Sequence, residues 1–191
     1  MSKYSITQFQ PSEFKSNSYI QRLMALDYAL CVSINQAGQQ ATTKAFFRLI
    51  SRLGDGVFWY LLMAALLLMD GDGAMNPVLH MLATGLIGTL LYKWLKRKTL
   101  RPRPYEIHQD IALSGRPLDR FSFPSGHTLH AVIFTHILGM YYPSLMLMVL
   151  PFTLLVAASR VVLGLHYPSD VCAGALIGLA LAELSQMLWL N

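Results

Sequence analysis

Apolar residues along this chain come in blocks rather than in alternation. Continuous apolar runs cover Leu23–Ile34, Val57–Met69, Val78–Tyr92, Leu129–Tyr142, Leu145–Ala158 and Val171–Leu190, separated by short polar segments rich in Gly, Pro, Asp or Arg. Runs of this kind predict helices, and a series of them predicts an all-α fold: a polytopic membrane helical bundle of about six helices. Only the last run reaches the roughly 20 residues that cross a hydrocarbon core untilted. The others draw on flanking residues, with Trp59, Trp94 and Tyr167 expected near the interfaces. In the first run, Arg22 and Asp27 bracket or interrupt the apolar residues and Asn35 with Gln36 follow closely. Lying in the membrane interface is its alternative to spanning.

The links between runs differ in kind. Gly71-Asp72-Gly73 and Tyr142-Pro143-Ser144 read as tight turns of helical hairpins. By contrast, Lys93 to Ser125 is about thirty residues of Arg, Pro, Asp and Gln, and long connections in compact bundles are usually functional or disordered. No internal repeat, low-complexity tract or linker divides the chain, so residues 1–191 are expected to form a single domain. The start, Met1 to Tyr19, is polar and lacks the pattern of a signal peptide, so insertion is expected to rely on internal helices.

Composition strengthens the membrane reading. Of 191 residues, 54% are hydrophobic and only 13% charged, and the mean hydropathy is +0.42, too apolar for an ordinary water-soluble domain of this size. The net charge of +5 does not indicate nucleic acid, because the basic residues sit beside apolar runs and no basic, aromatic-interleaved module occurs. Anionic lipid or phosphate is the expected partner. Cys31 and Cys172 lie inside apolar runs, without metal-type spacing, and are expected to be packing residues.

Three short polar segments stand at the ends of apolar helices, where burying them without purpose is costly. They are Lys96, six residues, Arg103-Pro104; Pro124-Ser125-Gly126-His127; and Ser159-Arg160, five residues, His166, three residues, Asp170. Each alone has a bland reading. The cations could form a collar on lipid headgroups, Ser125 could be only an N-cap, and His166 with Asp170 only a structural pair.

Together the eleven specified positions form an ordered set, KxxxxxxRP, PSGH and SRxxxxxHxxxD, that resembles the signature of the type 2 phosphatidic acid phosphatase superfamily. The resemblance implies a PAP2/haloperoxidase-like helical core and a phosphatase that works through a phosphohistidine. His166 resembles the nucleophile, Asp170 its orienting carboxylate, and His127 the acid that protonates the leaving oxygen and then activates water. Lys96, Arg103 and Arg160, with Ser125 and Gly126, would bind the phosphate. The chemistry agrees: a transferring phosphoryl group spreads charge over three oxygens and asks for positioned cations and N–H donors. The N–H groups of Ser125, Gly126 and His127 at a helix start fit that demand. Pro168 is expected to open the last helix and so put Asp170 in its first turn.

No cofactor is implied and no metal site is expected, because the acidic residues are few and scattered and Asp70 with Asp72 belongs across the membrane from the motifs. His80, His108, His130 and His136 are expected to be structural or solvated. The resemblance points to a lipid phosphate or lipid diphosphate substrate, with undecaprenyl diphosphate first and phosphatidylglycerophosphate, phosphatidate or lipid A as alternatives. A lipid phosphotransferase and a non-catalytic headgroup-binding protein are the other classes. Location in a bacterial inner membrane follows from the same resemblance. On orientation two arguments oppose each other: the cations on the motif side place it in the cytoplasm, whereas relatives in this superfamily generally face outward, which is the expectation taken from the resemblance.

Overall fold

In the structure, a computed structural model, residues 18–189 are described; Met1 to Asn17, most of the polar start, lie outside them. The elements are α1 (Ser18–Ala37), α2 (Ala41–Arg52), a π turn (Leu53–Val57), α3 (Phe58–Asp70), a 3-10 turn (Gly71–Ala74), α4 (Met75–Thr99), the single turn α5 (Pro104–Ile107), α6 (Gly126–Tyr141), α7 (Pro143–Val162) and α8 (Pro168–Trp189). Proline fixes φ and lacks an N–H that the first helical turn would leave unpaired anyway, and it opens α7 at Pro143 and α8 at Pro168.

Five helices, α3, α4, α6, α7 and α8, run between the two ends of the bundle. Cross-contacts fix their directions. Phe58 lies on Phe152 with ring centroids 3.9 Å apart, and at the far end of α3 Asp70 accepts from the Tyr142 hydroxyl at 2.6 Å. From there α4 returns: Trp189 Nε1 donates to Asn76 at 2.7 Å, His80 meets Ser185 at 2.8 Å, and Thr89 meets His130 at 3.0 Å. Helix α6 is central, against α4, α7 and α8. Its contact with α8 is at backbone distance, since a Cβ on Gly174 would lie 2.5 Å from the Ser125 carbonyl oxygen and one on Gly178 2.6 Å from that of Leu129. Small residues at a helix interface permit this approach.

The expected count of about six is thus corrected to five among the described residues, and the reason lies in α1. Along its length Asp27 accepts from the Ser169 N–H, Cys31 Sγ meets the His166 carbonyl, and Asn35 donates to the carbonyls of Ala112 and Val162. All of these partners belong to one end of the bundle, the end that holds the motifs, so α1 lies across that end instead of crossing. Helix α2 lies there too, with Arg48 donating to Ser114 O.

The outer surface of the bundle is apolar: Leu61, Leu68, Leu90, Leu147, Leu154 and Leu176 are all exposed, a surface suited to lipid. By length and hydropathy, three stretches can cross a membrane: Ala41–Ile107, which contains α3 and α4, Pro143–Val162 and Pro168–Trp189. Trp94 is exposed as an interface residue would be, but Trp59 and Tyr167 are buried, so those two are not interface anchors. Cys31 packs in the interior, whereas Cys172 is exposed.

Candidate active site

The three polar segments meet at one end of the bundle. A cavity of about 360 Å³ there is lined by Lys96, Arg103, Gly126, His127, Arg160 and His166, six of the eight expected site residues. Each comes from a helix terminus. Lys96 is in the last turn of α4, which runs to Thr99, so the connection expected from Lys93 begins later. Arg103 caps α5, Gly126 and His127 open α6, Arg160 closes α7, and His166 lies in the turn between α7 and α8.

Ser125 and Asp170 stand behind this wall. The Ser125 side chain caps α6 by accepting from the Thr128 N–H at 3.4 Å. Its own N–H donates to the Asp170 carbonyl at 3.0 Å, so it is already taken, contrary to the expected role in anion binding. Gly126 and His127 keep the unpaired donors that a first helical turn leaves. Asp170 is fully buried and accepts from Arg101 Nη1 at 2.7 Å and from the Tyr167 N–H at 2.9 Å. Its Oδ2 is 3.6 Å from His166 Nδ1, too long for a hydrogen bond, and Nδ1 has no other partner.

The cations are held independently of any ligand. Lys96 Nζ donates to the Phe121 carbonyl at 2.7 Å, and Arg103 Nη1 to the Leu165 carbonyl at 2.8 Å. Arg160 Nη1 donates to Ser51 Oγ at 2.5 Å while its Nε is buried without a partner. Burial first, and then the charges of Arg160, Arg103 and Lys96, hold the His166 imidazole well below its ordinary value, so at neutral pH it carries a free lone pair.

Three further residues at this cavity had no signal in the motifs. Asp119 accepts on a single oxygen from both Lys96 and Arg103, each at 2.8 Å. Burial favours its neutral form, but the two ion pairs outweigh that and hold its carboxyl below the usual carboxylate range. Asp55, from the π turn, contacts His127 Nε2. His130, expected to be structural, lines the same cavity one turn below His127 and meets the Gly126 carbonyl at 2.9 Å. Toward the bundle interior the cavity walls turn apolar, with Trp59, Leu82, Leu86 and Phe134.

The family model described as the PAP2 superfamily matches residues 74–189. The chain belongs to that superfamily. Among its relatives, the decaprenylphosphoryl-5-phosphoribose phosphatase of Mycolicibacterium smegmatis is 41% identical over 84 residues, 42% of each protein. The lipid A 1-phosphatase of Rhizobium etli is 31% identical over 103 residues, 52% of this chain and 44% of that protein. The matches thus span less than half the length of these curated relatives. Among solved PAP2 structures, LpxE of Aquifex aeolicus aligns with a TM-score of 0.72 and 28% identity over 85% of this chain and 95% of that one. A transmembrane PAP2-type phosphatidylglycerolphosphate phosphatase from Bacillus subtilis aligns at 0.69 and 26%, over 91% and 87%. With the apolar exterior of the bundle, this likeness makes the chain an integral membrane protein.

Proposed function

We propose that the chain is a lipid phosphatase acting through a phosphohistidine. The observation that carries this reading is the convergence of His166, His127 and three fixed cations on one cavity whose inner wall is apolar. With Nδ1 turned to Asp170, Nε2 of the neutral His166 attacks phosphorus. A P–N bond forms, the P–O bond to the lipid breaks, and the departing oxygen takes a proton from His127. Lys96, Arg103 and Arg160 balance the charge on the equatorial oxygens. His127 then accepts a proton from water, whose oxygen displaces phosphate from Nε2. Asp170 acts through His166: it fixes the tautomer and stabilises the ring as it becomes positive. Ser125 contributes as the cap that places Gly126 and His127.

Among the described residues no group of three or more His, Cys, Asp or Glu side chains is arranged so that it could hold a metal ion, and the reaction is proposed to run without one. The substrate is proposed to be a lipid phosphate or diphosphate that enters from the bilayer. Undecaprenyl diphosphate is the first compound to test, beside a phosphatidylglycerophosphate, a phosphatidate and a lipid A. The membrane is proposed to be a bacterial inner membrane. The motif end is proposed to face the cytoplasm rather than outward, because every Lys and Arg among the described residues belongs to α1, α2 or the motif-end segments of the chain.

Release of inorganic phosphate by the purified protein in detergent, without an added acceptor and in excess chelator, is the expected result. Transfer only to an added lipid acceptor would favour the phosphotransferase reading. Release that stops on chelation and returns with a divalent ion would overturn the metal-free step.

A further inference from the structure

The signature accounts for His127 but for nothing that holds it. Its Nε2 is in contact with the carboxylate of Asp55, which lies outside the matched residues 74–189. Two glycines build the π turn that carries Asp55. A Cβ on Gly54 would sit 2.9 Å from a Val156 methyl, so only glycine lets the turn lie against α7, and Gly56 adopts φ +137°, a region that disfavours L side chains. Such turns inside helical runs are frequent at functional sites. Asp55 also lines the same cavity as His166 and Arg160.

The charges around His127 make this contact consequential. Arg160 faces it from α7, His166 from the turn between α7 and α8, and His130 from α6 itself, while Lys96 and Arg103 line the same cavity. Of these, Arg160, Lys96 and Arg103 carry fixed positive charge and repel a protonated ring. Asp119, the other carboxylate in the cavity, is engaged by Lys96 and Arg103. His127 can protonate the leaving oxygen only as its imidazolium, and among the described residues Asp55 is the one carboxylate placed directly against this ring.

We propose that Asp55 is the positioning residue of His127. The two make a second Asp–His pair across the cavity from Asp170 and His166. Asp55 favours the protonated form of His127 that the leaving lipid oxygen needs, and stabilises the ring again when it takes the proton of the attacking water. The inference rests on the phosphohistidine reading above and adds a residue that the three motifs do not contain.

Asp55→Asn keeps the shape and one acceptor but removes the charge. In the purified full-length protein the alkaline limb of the kcat profile should then move down by about one pH unit or more, and kcat at neutral pH should fall about 10-fold or more. KM should change little, and phosphoprotein should accumulate because its hydrolysis needs the same pair. Asp55→Glu should restore part of both effects, and Asp55→Asn should cost nothing further in a His127→Ala background. An unaltered pH profile, or losses that add in full, would overturn the pairing. NMR of labelled histidine in the ligand-free protein reads the pair without turnover: the His127 ring should release its proton at lower pH in Asp55→Asn. If the parent releases no phosphate from any lipid, the phosphatase reading fails while this titration still judges the contact. A parent that is active, and sensitive to His127→Ala but not to Asp55→Asn, sinks only the pairing. Should Asp55→Asn not fold, Asp55→Ser and Asp55→Glu report on the same limb.

Discussion

At the scale of single residues, the consequential contrast is between a histidine in the cavity and a carboxylate behind it. Removing the proposed nucleophile by His166→Ala should reduce turnover at least ~10³-fold and leave the protein monodisperse and folded; full activity in that variant would end the covalent mechanism. Asp170→Asn should cost less, about 10- to 1,000-fold, the range expected when one opposite charge beside a ring is lost. Parental activity there would mean that the 3.6 Å approach has no chemical role. The state of His166 also sets a pH dependence. Burial and the neighbouring cations hold its ring well below the ordinary imidazole value, so the acid limb of kcat/KM should lie below pH ~6.5, with activity retained as pH falls through that value. Stability carries the matching sign. Below pH ~6.5 the unfolded chain binds a proton that the folded site refuses, so stability should fall as the solution is acidified, read from thermal midpoints across the same pH series.

At the scale of elements, the helix-end motifs were legible because polar residues at the ends of apolar runs are conspicuous, and Lys96, Arg103, His127, Arg160 and His166 all reach the cavity from such ends. What was not legible came from parts without periodicity. Asp55 sits between two glycines that read as a break before an apolar run, and nothing local indicates a π turn aimed at His127. Asp119 lies in the connection between α5 and α6, whose path depends on long-range contacts such as Ser122 N–H to the Arg101 carbonyl at 2.9 Å. For the first apolar run the sequence leaves spanning and lying in the interface both open, and its placement is decided by Asp27 and Asn35 pairing with the motif end. The connecting segment also yields a prediction. Since Lys96 and Arg103 keep their carbonyl partners without Asp119, Asp119→Asn should raise the positive potential of the cavity without misplacing the cations. Orthovanadate, which adopts the five-coordinate geometry of a transferring phosphorus, should then inhibit severalfold more tightly, on the order of 1 kcal/mol for a partly exposed pair. Weaker inhibition would show instead that the carboxylate is needed to aim the two cations.

At the scale of the whole molecule, the arrangement of five crossing helices changes how the charges are counted. With α1 and α2 lying across the motif end, Arg22, Lys44, Arg48 and Arg52 join the Lys93–Arg103 cluster, Arg116, Arg120 and Arg160 there, and among the described residues the segments at the opposite end contribute Asp70 and Asp72 but no Lys or Arg. Setting aside Lys96, Arg103 and Arg160 as serving the substrate leaves the asymmetry in place. Short-loop cations set orientation because they resist translocation, so the motif end should stay in the cytoplasm. The opposing argument, that relatives face outward, rests on resemblance and not on any residue of this chain. Single cysteines decide between them. In a background without Cys31 and Cys172, Asp72→Cys at the hairpin end and Leu118→Cys at the motif end, both at exposed positions, can be treated with a membrane-impermeant maleimide on intact spheroplasts. Asp72→Cys should react at once and Leu118→Cys only after lysis. The reverse pattern would place the cavity outside the cell, and the cations of α2 would then need a role at the site, beginning with Arg48 and Arg52 on the second cavity that Asp55 shares.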